Sequence, residues 1–389
     1  MSAKGPPRMT TTLENPVSTA RPAAPTAAAG ILDLTQQGHG SLRSPGGHPA
    51  PGDVQVPSSL IRRYGLRKGD AVEGLCERRG ALSAVARVNG LAPQVLRGRP
   101  HFRDLTPLHP RQRLRLETPS GGPSTRIVDL VAPVGKGQRG LIVAPPRTGK
   151  TVLLQQIAAA VAENHPESHL MVVLLDERPE EVTDMRRSVR GEVYASTFDR
   201  PAKEHIALAD LALERAKRLV EQGRDVVILL DSLTRLCRAH NNAAGNGGRT
   251  LSGGVDAAAL TGPKRLFGAA RLTEEAGSLT ILATALVETG SRADEYFFEE
   301  LKGTGNMELR LDRSLAEKRI HPAVNIAASG TRRDELLVPE EELAAVRGLR
   351  RALHSRDAQT SLETLLDRIR KTADNAAFLR LIRTTVPSA

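Results

Sequence analysis

The sequence predicts an α/β protein, a mostly parallel sheet covered by helices on both faces and preceded by a small all-β barrel. Three observations lead there. After residue 126 near-continuous apolar runs alternate with stretches of helical apolar spacing. Before it, short β-like runs are cut by Gly, Pro and Asp. The chain has 389 residues, more than one hydrophobic core usually serves, so two folded units are expected.

Residues 1–29 carry Pro, Ala and Thr without periodicity and are expected to form a disordered tail, because they cannot bury enough to offset chain entropy. Residues 30–98 hold the runs ILDL, DVQV, DAVEGLC and ALSAVARV, which suggest a closed barrel of the oligonucleotide-binding or cold-shock type. Charge supports that reading. Up to Arg126 there are 18 Lys and Arg against 8 Asp and Glu, nearly all of the net charge of +11, so this third should meet a polyanion. A merely solubilising basic surface is the other reading of the same charge. Residues 99–126, rich in Pro and Arg, read as a linker.

From 127 to 389 the pattern is that of one larger domain. GLIVA, LMVVLL, DVVILL and SLTILATAL are buried strands, TVLLQQIAAAVAEN and IALADLALERAKRLVEQG are helices, and the segment after about residue 340 is helical throughout. No run approaches the roughly 20 apolar residues of a membrane span. Cys76 and Cys237 match no metal or redox spacing and read as free thiols. The expectation is a cytoplasmic protein with no membrane attachment.

Ala144-Pro-Pro-Arg-Thr-Gly149-Lys150-Thr151 follows a strand and opens a helix, the context of a phosphate-binding loop. Backbone N–H groups of the turn that holds Pro146, Arg147, Thr148 and Gly149, and of the helix N-terminus, would wrap the phosphates. Lys150 would neutralise β- and γ-phosphate charge and Thr151 would help hold Mg²⁺. Asp231 ends the strand DVVILL and could hold the same Mg²⁺; Glu177 ends LMVVLL and could act as general base on the attacking water. Each acid alone could be a solvated turn residue. Three such groups on strand ends of one sheet converge where ligands bind in this architecture. The cofactors implied are ATP and Mg²⁺, and the activity that of an ATPase.

Residues now carry a resemblance. GQRGLIVAPPRTGKTVLLQ, LLDERPEEVTDMRR, GEVYASTFDRP, ILLDSLTRLCRAHN, LSGGVDAAAL, PKRLFGAARL, LKGTGNMELRL and AEKRIHPAVNIAASGTRRDELL resemble the motor domain of the Rho family of bacterial transcription termination factors. The likeness runs closely from about residue 104 to 338 and loosely back to 30. It implies a RecA-like core and a homohexameric, RNA-dependent ATPase and helicase that acts on single-stranded nascent RNA and the RNA polymerase elongation complex, with Nus-type factors as further partners. It also implies residue roles. Arg332 would reach the γ-phosphate of the neighbouring copy, and Arg178 and Arg235 would sense phosphate release. Val152 and His321 would flank the adenine. Arg249, Thr250, Leu251, Ser252 and Gly253 would form one RNA-facing pore loop and Lys302 with Gly303 the other.

The chain also departs from the family. Where an aromatic RNA platform is usual, it has Gly38-His39-Gly40-Ser41-Leu42-Arg43, and Gln55 and Leu82 stand at further aromatic positions. His39, Arg43 and Arg63 are the expected contacts of the barrel with RNA, helped by Arg62, Arg67 and Lys68, with weak stacking and strong salt dependence. Arg147 replaces a lysine. Two other readings remain at this point: a weakly active regulatory RNA-binding relative, which the lost platform would favour, and a rotary ATP synthase subunit, against which the basic barrel and paired pore loops argue.

Overall fold

The computed structural model describes residues 26–35, 37–77, 80–96, 98–244 and 250–385. The first unit comprises β1 (Thr26–Leu34), β2 (Gly40–Arg43), β3 (Val54–Val56), α1 (Ser58–Tyr64), β4 (Ala71–Cys76) and β5 (Leu82–Val88). The strands form an antiparallel sheet in the order β3-β2-β1-β4-β5, and a bridge from Gln55 to Ala81 brings its two edges together. Leu32, Leu42, Val56, Val72, Leu82, Val85 and Val88 fill its interior. Strand β1 begins at Thr26, so the ordered unit starts four residues inside the segment read as a tail. Leu82, expected at an aromatic RNA-facing position, is a core residue instead.

The supposed linker is built into the second unit. Phe102, Leu105, Leu114 and Leu116 are all buried there, although Pro and Arg dominate the stretch around them. The second unit continues through β6 (Pro107–Leu108), β7 (Arg113–Leu114), α2 (Pro123–Val131), β8 (Val134–Gly135), β9 (Arg139–Ala144), α3 (Lys150–Asn164), β10 (His169–Glu177), α4 (Pro179–Ser188) and β11 (Glu192–Thr197). Then come α5 (Ala202–Val220), β12 (Val226–Asp231), α6 (Leu233–Ala244), β13 (Thr250–Leu251), β14 (Val255–Asp256), α7 (Thr261–Gly268), β15 (Arg271–Thr273) and β16 (Ser278–Leu286). The chain ends with α8 (Arg292–Lys302), β17 (Met307–Arg310), α9 (Arg313–Glu317), β18 (Gly330–Thr331), α10 (Glu340–His354), α11 (Ala358–Arg370) and α12 (Asn375–Thr385).

The main sheet runs β11-β10-β12-β16-β9-β17-β18, parallel except at β18, with the short β15 attached antiparallel to β16 and β6 antiparallel to β15. Strand β10 shows why its strands read as continuous apolar runs. Leu170, Val172 and Leu174 enter the core packed with α3 and the C-terminal helices, whereas Met171, Val173 and Leu175 enter the core on the other face with α5 and α6. Both faces are covered, and only the strand ends remain for polar chemistry.

The barrel sits on α5. Arg67 pairs with Glu221 at 2.9 Å, and Asn89 accepts from Arg215 at 2.7 Å. Gly69, at φ +89, lies so close that a Cβ there would come 2.3 Å from the Glu214 carbonyl carbon.

Candidate nucleotide and RNA sites

Strand β9 ends at Ala144 and the chain turns through 145–149 into α3. Gly149 takes φ +86, a left-handed conformation suited to glycine, and caps the helix. The Thr148 hydroxyl donates to the Pro145 carbonyl at 2.8 Å, closing the loop on itself, while Pro146 and Arg147 stay exposed. The free N–H groups of the first helical turn are thus left facing out, as an anion site needs. Val152 is 56% exposed beside the loop. The His321 Nδ1 lies 3.8 Å from where a Gly149 Cβ would be, so both expected base-flanking residues border the same opening.

Lys150 Nζ stands 2.5 Å from Asp231 Oδ2 and 3.8 Å from Glu177 Oε2, so the three expected groups converge at the carboxyl ends of β9, β12 and β10. Arg235 joins them, 3.2 Å from Glu177 Oε2 and hydrogen-bonded to the Asp176 carbonyl. Glu177 is buried. Burial pushes its carboxyl above the usual glutamate range, and Asp231 and Glu181 add to this, against the opposing pull of Arg235 and Lys150. Arg178 has a mostly exposed side chain and lies 4.0 Å from the Glu181 carboxylate.

Two supporting residues escaped the sequence reading. The buried Thr284 hydroxyl donates to Asp231 Oδ1 at 2.8 Å, fixing the carboxylate from the next strand; it lies near the end of SLTILATAL, so the rule that strand ends carry chemistry could have found it. Glu181 accepts from the Thr151 hydroxyl at 3.3 Å. Asp231, Thr151 and Glu181 offer hard oxygen donors, which fits Mg²⁺. Among the described residues no group of three or more His, Cys, Asp or Glu could hold a metal ion, and such an ion would take its other ligands from water or phosphate oxygens.

Arg332 is far from this centre within its own chain. It follows β18, the sheet edge, and its N–H bonds to Asn306 O beside the first residue of β9, whereas the phosphate loop follows the last. Five strand residues, about 16 Å, separate those levels. The Arg332 side chain is exposed and, among the described residues, in no ion pair.

Of the pore-loop residues, Arg249 lies outside the described residues. The Thr250–Leu251 backbone pairs with β14, and Gly253 packs against the backbone of Arg292 and Ala293 at the start of α8. Lys302 and Gly303 sit exposed at the other end of α8, about 15 Å away. The two loops therefore share one helix without touching, and Arg292, absent from the sequence reading, is the basic residue beside the first.

On the barrel, His39 is exposed beside a hollow of about 240 Å³ lined also by Gln55 and Ser58. Arg43 is not free as expected. It pairs with Asp33 at 2.8 Å and Asp53 at 2.6 Å, carboxylates that strand pairing brings alongside it. Lys68 and Arg67 are likewise held, by Asp33 and Glu221. Arg62 and Arg63 are exposed; the Arg63 guanidinium lies over the Tyr64 ring at 5.4 Å.

Comparison with known proteins agrees with both units. Residues 28–94 match the family model "Rho termination factor, RNA-binding domain", and residues 124–331 match "ATP synthase alpha/beta family, nucleotide-binding domain". A transcription termination factor Rho of Streptomyces coelicolor is 68% identical over 98% of this chain and 91% of its own length. One from Streptosporangium roseum is 59% identical over 92% of each chain, and one from Streptomyces lividans is 60% identical, though this chain spans 52% of that protein. Among solved structures, an ATPase from the type III secretion system of pathogenic bacteria superposes with a TM-score of 0.61 at 21% identity, covering 73% of this chain and 87% of that one. That likeness is one of fold.

Proposed function

The chain belongs to the Rho family of transcription termination factors, and from that premise we propose that it works as a homohexameric ring that hydrolyses ATP between neighbouring copies to draw single-stranded RNA through its centre and release the transcript from RNA polymerase. It is an ATP-dependent RNA-binding factor of transcription termination. Among the described residues no helix is long and apolar enough to cross a membrane; we place the protein in the cytoplasm, with Nus-type factors as further partners.

The observation that carries the ring is the separation of Arg332 from Lys150. An exposed arginine in no ion pair among the described residues, at the edge away from its own phosphate loop, supports a role at the loop of another copy. Lys150 and the N–H groups of 147–149 would bind the phosphates. Glu177, held beside them, would take the proton of the attacking water, with Arg235 and Arg178 sensing phosphate departure. Thr151 and Asp231 would hold Mg²⁺, which supplies charge neutralisation between the β- and γ-phosphates. Val152 and His321 would flank the base. RNA would follow 249–253, Lys302 and Gly303 in the pore, and His39 and Arg63 on the barrel.

ATP hydrolysis by the purified protein, with and without single-stranded RNA, tests this beside Glu177→Ala and Arg332→Ala. Strong RNA stimulation lost in both variants is the expected result. An oligomer that binds RNA and hydrolyses nothing would sink it.

A further inference from the structure

A cationic hollow is enclosed by α10, α11 and the turn at 325–327, with a volume of about 250 Å³. Arg350, Arg356, Asn325 and Ser361 supply its polar lining, and no carboxylate lines it. Arg350 is largely enclosed and donates to the carbonyls of Ser329, at 3.0 Å, and Val131. Carbonyl oxygens satisfy its donors without cancelling its charge. Arg356 donates only to the Thr364 hydroxyl, at 3.3 Å. Neither guanidinium has a carboxylate within ion-pair distance among the described residues. Asp334 pairs with Arg347 at 3.7 Å, and both Asp357 oxygens accept from Thr360, at 3.0 and 2.6 Å. Burial depresses the Arg350 pKa, with Asp334 a minor opposing influence, which marks a charge short of solvation.

We propose that this hollow binds a small inorganic polyanion of the pyrophosphate class, clamped between Arg350 and Arg356, and that occupancy fixes the strand carrying Arg332. Two guanidiniums lining a shared cavity suit a multiply charged oxyanion, because Arg356 can donate two parallel bonds and Arg350 adds its charge and its remaining N–H groups. The volume falls below the usual range for drug-sized ligands, about 300–1,000 Å³, which favours an inorganic anion over a nucleotide. The route to Arg332 is short. Arg350 holds the Ser329 carbonyl, and the Ser329 hydroxyl donates to Asn325 O at 2.6 Å while accepting from Arg310 N at 2.9 Å. Gly330 and Thr331 then form β18, and Arg332 is next. The consequence for Arg332 rests on the trans role proposed above; binding itself does not.

The test uses the full chain carrying Lys150→Gln, which weakens the phosphate loop and removes hydrolysis from the readout, with pyrophosphate as probe and no added metal. Calorimetry should show one site per chain, weakened at least tenfold when Arg356→Glu is added. Hydrogen exchange should slow at 325–332 on addition of pyrophosphate, and should not in the Arg356→Glu protein. Arg356 is the deciding position because its exposed side chain has one weak partner, whereas loss of Arg350 could unseat Val131 and Ser329. Absence of binding, equal binding in Arg356→Glu, or binding without the exchange effect would each overturn the proposal. Because hydrolysis is not measured, failure of the ring reading would leave the calorimetric result standing.

Discussion

Glu177 Oε2 lies 3.8 Å from Lys150 Nζ, while the same lysine is drawn to Asp231 at 2.5 Å. Two buried carboxylates thus share one cation, and a bound phosphate would compete for it. Glu177→Gln should retain ATP binding and lower kcat by about 10²- to 10⁴-fold, the range for loss of a general base. Single-turnover hydrolysis beside a nucleotide-binding titration separates the two effects.

The same residue sets a pH dependence. Glu177 must be ionised to accept a proton, and burial raises its pKa above that of an ordinary glutamate. Activity should therefore be full well above that raised value and fall as pH drops through it, at a higher pH than an exposed glutamate would give. The kcat profile with saturating RNA and ATP checks this. An acid limb at or below the ordinary glutamate value would remove Glu177 as the titrating base.

Arg332 makes a different prediction, because its target belongs to another copy. Arg332→Ala should lower hydrolysis by roughly 10³- to 10⁵-fold while nucleotide binding by each chain persists. Mixing Arg332→Ala chains with Glu177→Gln chains should restore part of the activity, since some interfaces then pair an intact Glu177 with an intact Arg332. Mixtures as inactive as the separate variants would place Arg332 in its own chain's site.

Much of the nucleotide site was legible because buried parallel strands announce themselves as continuous apolar runs, so the acid ending each run, Glu177 or Asp231, falls at a predictable edge. Partners were not legible. Arg43 reads as a free cation in one dimension, and only strand pairing shows that Asp33 and Asp53 flank it. Composition misled at 99–126, where Pro and Arg outnumber the few apolar side chains, Leu105, Leu114 and Leu116 among them, that anchor the stretch. Thr284 was overlooked for the opposite reason, a polar residue near the end of an apolar strand whose value lies in the carboxylate beside it.

With Arg43, Arg67 and Lys68 held by acids, the barrel's open cations are fewer than its sequence suggests. Arg62→Ala and Arg63→Ala should each weaken RNA binding similarly across sequences and reduce the slope of log K against log salt by about 1. Arg43→Ala should instead lower stability by releasing Asp33 and Asp53. Filter binding over a salt series, with thermal unfolding alongside, distinguishes these. Loss of RNA affinity in Arg43→Ala with stability unchanged would return Arg43 to the RNA surface.

The seat of the barrel on α5 can be tested with two neighbouring glycines. Gly65 and Gly69 both have positive φ, +60 and +89, so either alanine carries the left-handed penalty of about 1–2 kcal/mol. Only at Gly69 would the new Cβ collide with backbone, at 2.3 Å from Glu214 C and 2.4 Å from Arg215 N; at Gly65 nothing lies within 4 Å. A helix backbone cannot yield as a side-chain end can. Gly69→Ala should therefore destabilise by a further 1–3 kcal/mol or so, the usual cost of overpacking. It should also speed hydrogen exchange along the contacts that Arg67 and Asn89 make with Glu221 and Arg215, which Gly65→Ala should leave alone. Equal Tm losses and equal exchange in the two variants would mean that the barrel does not rest on α5 at this turn.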